Sequence, residues 1–180
     1  MVDSNIENKA GAFLNKYRTN SKTNYTNVIE IAEKIGFKVL KADMEDEGRI
    51  LISKTIQDKY GSDKVIIVNR NNSATRMRFT VAHELGHYEL HVPPEVKEGK
   101  EKYFAFRDVK EDGYYTKPER EANAFASALL MPAKLVEEEY KELYKCFGED
   151  DIVEMIAQTF LVSLKTARFR LINLGLLQYE

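Results

Sequence analysis

The sequence predicts an α+β domain in which a small β-sheet packs against helices. Two amphipathic helices are predicted over residues 4–18 and 26–35, because their apolar residues recur at helical spacing. Three short apolar runs follow at residues 37–40, 49–53 and 64–69, and each has the length and flanking turns of a β-strand. The last run is apolar at every position from 65 to 68, which predicts a central strand. Helical patterns then continue, and this order of helices, sheet and helices is typical of the α+β class.

Composition limits the classes of protein to which the chain can belong. A chain of 180 residues with 43% hydrophobic residues can form one domain core, and a net charge of −2 gives no overall attraction to nucleic acids or membranes. The single cysteine, Cys146, excludes an internal disulfide framework and suits a reducing compartment. The polar residues 1–5 lack the apolar region of a signal peptide, and no apolar run approaches the roughly 18 residues of a membrane span. We therefore expect a cytoplasmic protein without a membrane segment.

The longest predicted helix, residues 74–90, carries the pattern His-Glu-x-x-His, with His83 and His87 four residues apart. Four residues are about one helical turn, so both imidazoles can bind one metal ion from the same face. Glu84 then has the position of the general base in a zinc peptidase. His91 lies about 80° around the helix from His83, which suits a substrate-facing role better than ligation. The pattern predicts one zinc ion per chain, and the alternative is a helix with surface histidines.

A third ligand is expected on another helix, because a catalytic zinc ion usually has three protein ligands and one open position. The next predicted helix begins at Thr116 and carries Glu119 and Glu121. Thr116 and Glu119 have the spacing of a capping box, which would give Glu119 a structural role. We therefore favour Glu121 as the third ligand, with Glu119 and His91 as alternatives.

Residues 95–117, between these two helices, differ in character from the rest of the chain. Lysine and glutamate alternate at first, an aromatic run at residues 103–107 is compatible with a strand, and Asp-Gly at residues 112–113 is a hairpin signal. We interpret the segment as a flap beside the site, although a solvated loop without a function has the same pattern. The candidate hydrogen-bond donors to the transition state of peptide hydrolysis are His91, Tyr114 and Tyr115.

The C-terminal part of the sequence has the spacing of a helix-turn-helix pair, which predicts a metallopeptidase domain at residues 1–147 and a helical appendage at residues 148–180. The appendage could bind DNA, dock a partner protein or only pack against the first domain. Its basic residues are Lys165, Arg168 and Arg170, and these are few for DNA affinity, because each phosphate contact contributes separately. We therefore do not expect DNA binding.

Two motifs in this order resemble the ImmA/IrrE family of zinc metallopeptidases. The first is Arg-Phe-Thr-Val-Ala-His-Glu-Leu-Gly-His at residues 78–87. The second is Glu-Ala-Asn-Ala-Phe-Ala at residues 121–126, followed by Leu-Leu-Met-Pro at residues 129–132. The resemblance implies a zincin-like fold in which Glu84 is the catalytic base and zinc is bound by His83, His87 and Glu121.

The resemblance also implies a class of substrate. Members of this family are cytosolic bacterial or prophage proteins, and several cleave a helix-turn-helix transcriptional repressor. We therefore expect a zinc endopeptidase that cleaves such a repressor at a specific site and so derepresses prophage, mobile-element or stress genes. The alternatives are a DNA-binding or scaffolding regulator with a zinc site, and a general cytosolic peptidase. The sequence does not predict an oligomeric state.

Overall fold

A computed structural model describes residues 4–17, 24–98, 103–105 and 115–178 of the chain. The tip of the predicted flap, including Tyr114, lies outside the described residues. In chain order, the elements are α1 (Ser4–Tyr17), α2 (Val28–Ile35), β1 (Lys38–Ala42), β2 (Gly48–Ile52), a 3₁₀ turn (Lys54–Ile56), α3 (Gln57–Tyr60), β3 (Lys64–Asn69), α4 (Ala74–His91), α5 (Pro94–Lys97), β4 (Tyr103–Ala105), α6 (Lys117–Leu130), α7 (Ala133–Leu143), α8 (Glu149–Phe160) and α9 (Leu164–Asn173).

Within the described residues, the four strands form one sheet in the order β1-β3-β2-β4. Strand β3 is parallel to β1 and antiparallel to β2, so the prediction of a central strand at residues 64–69 is confirmed. Strand β4 pairs antiparallel with β2, in the register Tyr103↔Ile52. The predicted α+β class is confirmed, and one strand of the predicted flap is part of the sheet.

The sheet separates a large helical core from a smaller apolar cluster, because side chains alternate between its two faces. The residues of β2 and β3 that face the large core are Ile50, Ile52, Ile66 and Val68. Leu51, Val65 and Ile67 point to the other face, where Met44 and Tyr60 pack against them. Helix α4 therefore packs against the face of the sheet that forms part of the large core. No helix in the described residues is both long enough and apolar enough to cross a bilayer.

Helices α8 and α9 contribute to the same core as the rest of the chain. Ile152, Ile156, Phe160 and Leu171 are fully buried and belong to one cluster with Phe125 of α6. The left-handed backbone of Leu161, with φ at 50°, makes the turn between the two helices, and the Ser163 side chain caps α9. The division at residue 148 stays a prediction, but the residues on its two sides share one core.

A polar contact also joins α4 to the turn between α8 and α9. The guanidinium of Arg78 donates to the carbonyl oxygens of Phe160, Leu161 and Thr26, and it lies 4.5 Å from the centre of the Tyr25 ring. Burial lowers the pKa of Arg78, and Tyr25 opposes this shift. Because Arg78 stands five residues before His83, the predicted metal helix is fixed to the C-terminal helices close to its own functional residues.

Candidate metal centre

Helix α4 begins at its N-cap residue Ser73, whose hydroxyl accepts a hydrogen bond from the backbone N–H of Arg76. Every residue from Thr80 to Tyr88 is buried. His83 and His87 are each only 5% exposed, so the alternative of a helix with surface histidines is excluded.

Helices α4 and α6 approach each other closely at Gly86. A Cβ atom at this position would lie 3.1 Å from the carbonyl oxygen of Ala122 and 3.3 Å from the Cβ atom of Phe125. Glycine therefore allows the backbone of α6 to lie against α4. As a result, side chains on the facing side of α6 can reach the histidines of α4.

Three buried side chains converge between the two helices. The Nε2 atoms of His83 and His87 are 3.0 Å apart, and the Glu119 carboxylate lies 3.3 Å from the first and 3.0 Å from the second. Glu119 is only 1% exposed. Within the described residues, these three side chains are the group whose ligand atoms could hold one metal ion.

The hydrogen bonding of His83 prepares its Nε2 atom for a cation. The Nδ1–H group of His83 donates to Oδ1 of Asn123 at 3.0 Å, so its Nε2 atom carries a lone pair. This lone pair points at the Glu119 carboxylate, and the two repel each other unless a proton or a cation lies between them. Burial alone would raise the pKa of Glu119, but where the imidazoles carry a proton, hydrogen bonds from His83 and His87 hold this pKa well below its usual range.

The separations among these atoms also fit a metal ion. Ligand atoms about 2.0–2.2 Å from a tetrahedral zinc ion lie about 3.3–3.5 Å from one another. The observed separations of 3.0–3.3 Å are only slightly shorter. Two imidazoles and one carboxylate are also a ligand set that zinc accepts in catalytic sites.

The structure brings the carboxylate of Glu119, and not that of the predicted Glu121, to the two histidines. On α6, Glu119 shares a face with Ala122, three residues later, and this is the face that lies on α4. Glu121 is rotated about 100° from Ala122, and its carboxylate instead lies 3.7 Å from His91 Nε2 and 3.6 Å from Lys117 Nζ.

The capping box was the wrong reason to set Glu119 aside. Helix α6 does begin after Thr116, as predicted, but no side-chain hydrogen bond caps it. The carboxylate of Glu119 lies against the histidines instead of reaching back to Thr116. No role for Asn123 followed from the sequence, although its position four residues after Glu119 places both side chains on the same face of the helix.

Glu84 is buried and lines a small cavity together with His83, Gly48 and Thr80. A Cβ atom on Gly48 would clash with the Thr80 side chain, so glycine at the start of β2 allows the sheet to lie close to α4. Glu84 and His83 therefore face one cavity, and Glu119 approaches the histidines from α6.

The other predicted candidates lie farther from the three converging atoms. Nε2 of His91 is 3.3 Å from the carbonyl oxygen of Pro118, and its ring centre is 5.5 Å from that of His87. Burial, together with repulsion from His87, lowers the pKa of His91. Tyr115 is 38% exposed and lies just before α6, whereas Tyr114 lies outside the described residues.

Comparison with known proteins bears on both the family and the fold. A family model described as the IrrE N-terminal-like domain, a peptidase family, matches residues 32–172. A solved structure described as a Mycobacterium tuberculosis transcriptional regulator is similar, with a TM-score of 0.58 and 15% sequence identity. That match covers 95% of this chain and 47% of the other, so this chain spans about half the length of that protein and the likeness supports the fold alone. A comparison with curated protein sequences gave no significant match.

Proposed function

Because the chain belongs to the IrrE N-terminal-like domain family of peptidases, we propose that it is a zinc-dependent endopeptidase that cleaves a helix-turn-helix transcriptional repressor at a specific site. The observation that carries this proposal is the convergence of the His83 and His87 Nε2 atoms with the Glu119 carboxylate in a buried site. Cleavage of the repressor would derepress prophage, mobile-element or stress genes. A cytoplasmic location stays a prediction.

In this proposal, His83, His87 and Glu119 hold one zinc ion, and Asn123 fixes the orientation of the His83 ring. A zinc ion held there would polarise a peptide carbonyl group and lower the pKa of a water molecule. Glu84 accepts the proton of the attacking water on its carboxylate and then gives it to the leaving amine. Its position in the cavity beside His83 supports this role.

The developing charge on the substrate also needs a hydrogen-bond donor from the protein. Of the candidates, His91 is half-buried beside His87, and Tyr115 is partly exposed just before the helix of Glu119. We propose these two as donors or as substrate contacts. The same role for Tyr114 stays a prediction.

Burial of the site favours a dedicated peptidase over a general one. His83, Glu84 and His87 are each 5% exposed, so any peptide bond reaches them only after a change in the surrounding segments, which an undocked chain has no binding energy to bring about. A substrate that docks elsewhere on the protein gains a high local concentration near the site. We therefore propose that the substrate is selected by docking before it is cleaved.

The basic residues of the C-terminal helices argue against the alternative of a DNA-binding regulator. Arg168 pairs with Asp150, and Arg170 is buried against Glu7. Lys165 then remains as the one basic residue of α8 and α9 without an ion pair among the described residues. An electrophoretic gel shift with promoter DNA tests this alternative, and we expect no shift at physiological salt.

The test of the proposed function uses the purified full-length chain, zinc and the repressor encoded beside its gene. We expect one cut, detected by intact-mass spectrometry, and no cut by Glu84→Gln, which should keep its zinc because the ligands are unchanged. Casein, as an unrelated unfolded protein, should remain intact. Cleavage of casein at a similar rate would support a general peptidase, and an intact repressor in the presence of a zinc-loaded chain would contradict the proposal.

A further inference from the structure

A groove beside the candidate metal centre has no role in the site described so far. It lies between α4, α6 and α9 and encloses about 500 Å³, a volume within the range of known ligand sites. Its walls combine aromatic with cationic side chains. The aromatic residues are Phe79, Tyr115 and Phe169, and the cationic residues are Arg76, Arg120 and Lys165.

The charge of the groove differs from that of the chain as a whole. Among the described residues, no carboxylate lines it, although the chain has a net charge of −2. The charge of Arg76 is offset by an ion pair with Glu47. Arg120 instead donates to the backbone carbonyl of Tyr115, and Lys165 lies over the ring of Phe169, so these two cations keep a net positive charge in the groove.

Two residues connect the groove to the metal centre. Asn123 lines the groove and accepts the hydrogen bond from His83 Nδ1. Phe79, one turn before His83 on α4, lines both the groove and the cavity that contains Glu84. A chain segment in the groove would therefore lie directly beside the catalytic residues.

The groove also uses the face of α9 that a DNA-reading helix would need. Lys165, Thr166 and Phe169, at helical spacing, point into it and oppose α4 and α6. The helices opposite restrict the approach of a DNA duplex to this face, and only its rim, with Lys165 and Phe169, is exposed. A narrow groove with separate cations and aromatic rings suits an extended peptide better.

We propose that this groove selects the substrate by binding an acidic segment of it, with carboxylates at Arg120 and Lys165 and an apolar side chain between Phe79 and Phe169. The inference rests on the proposed peptidase function and adds to it the chemistry of the substrate segment. Acidic and apolar residues in one segment match both kinds of side chain on the walls.

The test measures binding separately from cleavage. The probe is a fluorescein-labelled 12-residue peptide in which glutamate alternates with leucine and phenylalanine, and its control replaces every glutamate by glutamine. Binding is measured by fluorescence anisotropy in the full-length Glu84→Gln chain with zinc. We expect the acidic peptide to bind at least about tenfold more tightly, with an affinity that falls as salt is added.

Matched substitutions locate the binding site on the protein. Arg120→Gln and Lys165→Gln should each weaken binding of the acidic peptide about threefold and together about tenfold, as partly exposed ion pairs do. Arg168→Gln removes an equal charge from the same helix α9 outside the groove and should leave binding unchanged. Retained zinc in each variant shows that it is folded.

Each outcome separates the groove from the catalytic proposal. Equal affinity for both peptides, or an equal loss in Arg168→Gln, would overturn the groove proposal. Tighter binding of a 12-nucleotide single-stranded oligo-dT, weakened by the same groove substitutions, would also overturn it in favour of a nucleic-acid site. Peptide binding with the expected pattern in a chain that cleaves no repressor would support the groove and contradict the peptidase. Repressor cleavage with an unchanged KM in the variant that carries both Arg120→Gln and Lys165→Gln would support the peptidase and contradict the groove.

Discussion

Arg170 and Glu119 are two of the buried charged side chains among the described residues, and their surroundings differ. Arg170 of α9 is 2% exposed, and its guanidinium donates to both carboxylate oxygens of Glu7, at 2.5 and 2.9 Å, and to the carbonyl oxygen of Met131 at 2.9 Å. Glu119 of α6 is 1% exposed and faces His83 and His87. The first charge is matched by groups of the chain itself, which is the pattern of a structural contact.

Glu119 instead faces two imidazoles, which offset its charge only when they are protonated or bind a cation. His83 directs a lone pair at the carboxylate, because its Nδ1–H group is used by Asn123. Burying a carboxylate against such an acceptor is unfavourable unless the site holds positive charge. Burial of a charge therefore does not by itself indicate function, whereas a buried carboxylate that converges with two imidazoles does.

The largest expected effect is on zinc affinity, and it distinguishes Glu119 from Glu121. Glu119→Gln should lower zinc affinity by more than about 100-fold and abolish cleavage, because even outer hydrogen-bond partners of a ligand contribute roughly 10–100-fold. Glu121→Gln, on the same helix, should keep its zinc, because the Glu121 carboxylate lies beside His91 and Lys117. Zinc content after dialysis, measured by elemental mass spectrometry, checks both. Zinc loss in Glu121→Gln but not in Glu119→Gln would restore the sequence-based choice.

Substitution of Arg170, whose contacts are structural, should change the free energy of unfolding but not the zinc affinity. Arg170→Met should lower the free energy of unfolding by about 3 kcal/mol, because it leaves the Glu7 carboxylate and the Met131 carbonyl without their donor. Arg168→Met removes the exposed pair with Asp150 and should cost less than about 1 kcal/mol. Urea unfolding measures both values.

The same experiment tests the division of the chain at residue 148. One cooperative transition for the whole chain would indicate that α8 and α9 unfold together with the rest. A separate early transition in Arg170→Met, with zinc retained, would indicate an independent appendage.

Asn123 acts together with the three candidate metal ligands, although it is not one of them. Asn123→Ala should lower zinc affinity about 10–100-fold, because the His83 ring loses the acceptor that fixes its orientation. Asn123→Asp keeps an acceptor for His83 Nδ1–H and should restore most of the affinity. Competition with a zinc chelator measures these affinities. An unchanged affinity in Asn123→Ala would show that packing alone orients His83.

The sequence predicted the fold, and it predicted that His83 and His87 share one face of a helix, because those features depend on local patterns. The spacing of His83 and His87 is fixed by the helix itself, and the apolar run of β3 already indicated a central strand. The choice between Glu119 and Glu121 depends instead on how α6 is rotated against α4. That rotation is set by contact between residues 36 positions apart, Gly86 and Ala122, and no local pattern contains it.

The close contact at Gly86 leads to the prediction with the smallest effect on stability. Alanine favours a helix over glycine by up to about 1 kcal/mol, so Gly86→Ala would stabilise the protein if space allowed. The added Cβ atom would lie 3.1 Å from the Ala122 carbonyl oxygen, which requires α6 to shift by a few tenths of an ångström. We expect a net loss of about 1 kcal/mol from this overpacking and a lower zinc affinity, since Glu119 moves with α6.

Gly11 is the matched control, because it also lies inside a helix, α1, but a Cβ atom there would meet no atom within 4 Å. Gly11→Ala should therefore raise the free energy of unfolding by about 0.5–1 kcal/mol and leave zinc affinity unchanged. The opposite signs of the two substitutions, measured by urea unfolding and chelator competition, would show that the α4–α6 contact positions Glu119. If Gly86→Ala instead gains stability as Gly11→Ala does and keeps its zinc affinity, α6 can move without loss, and the close approach of the two helices is not what brings the third ligand to the histidines.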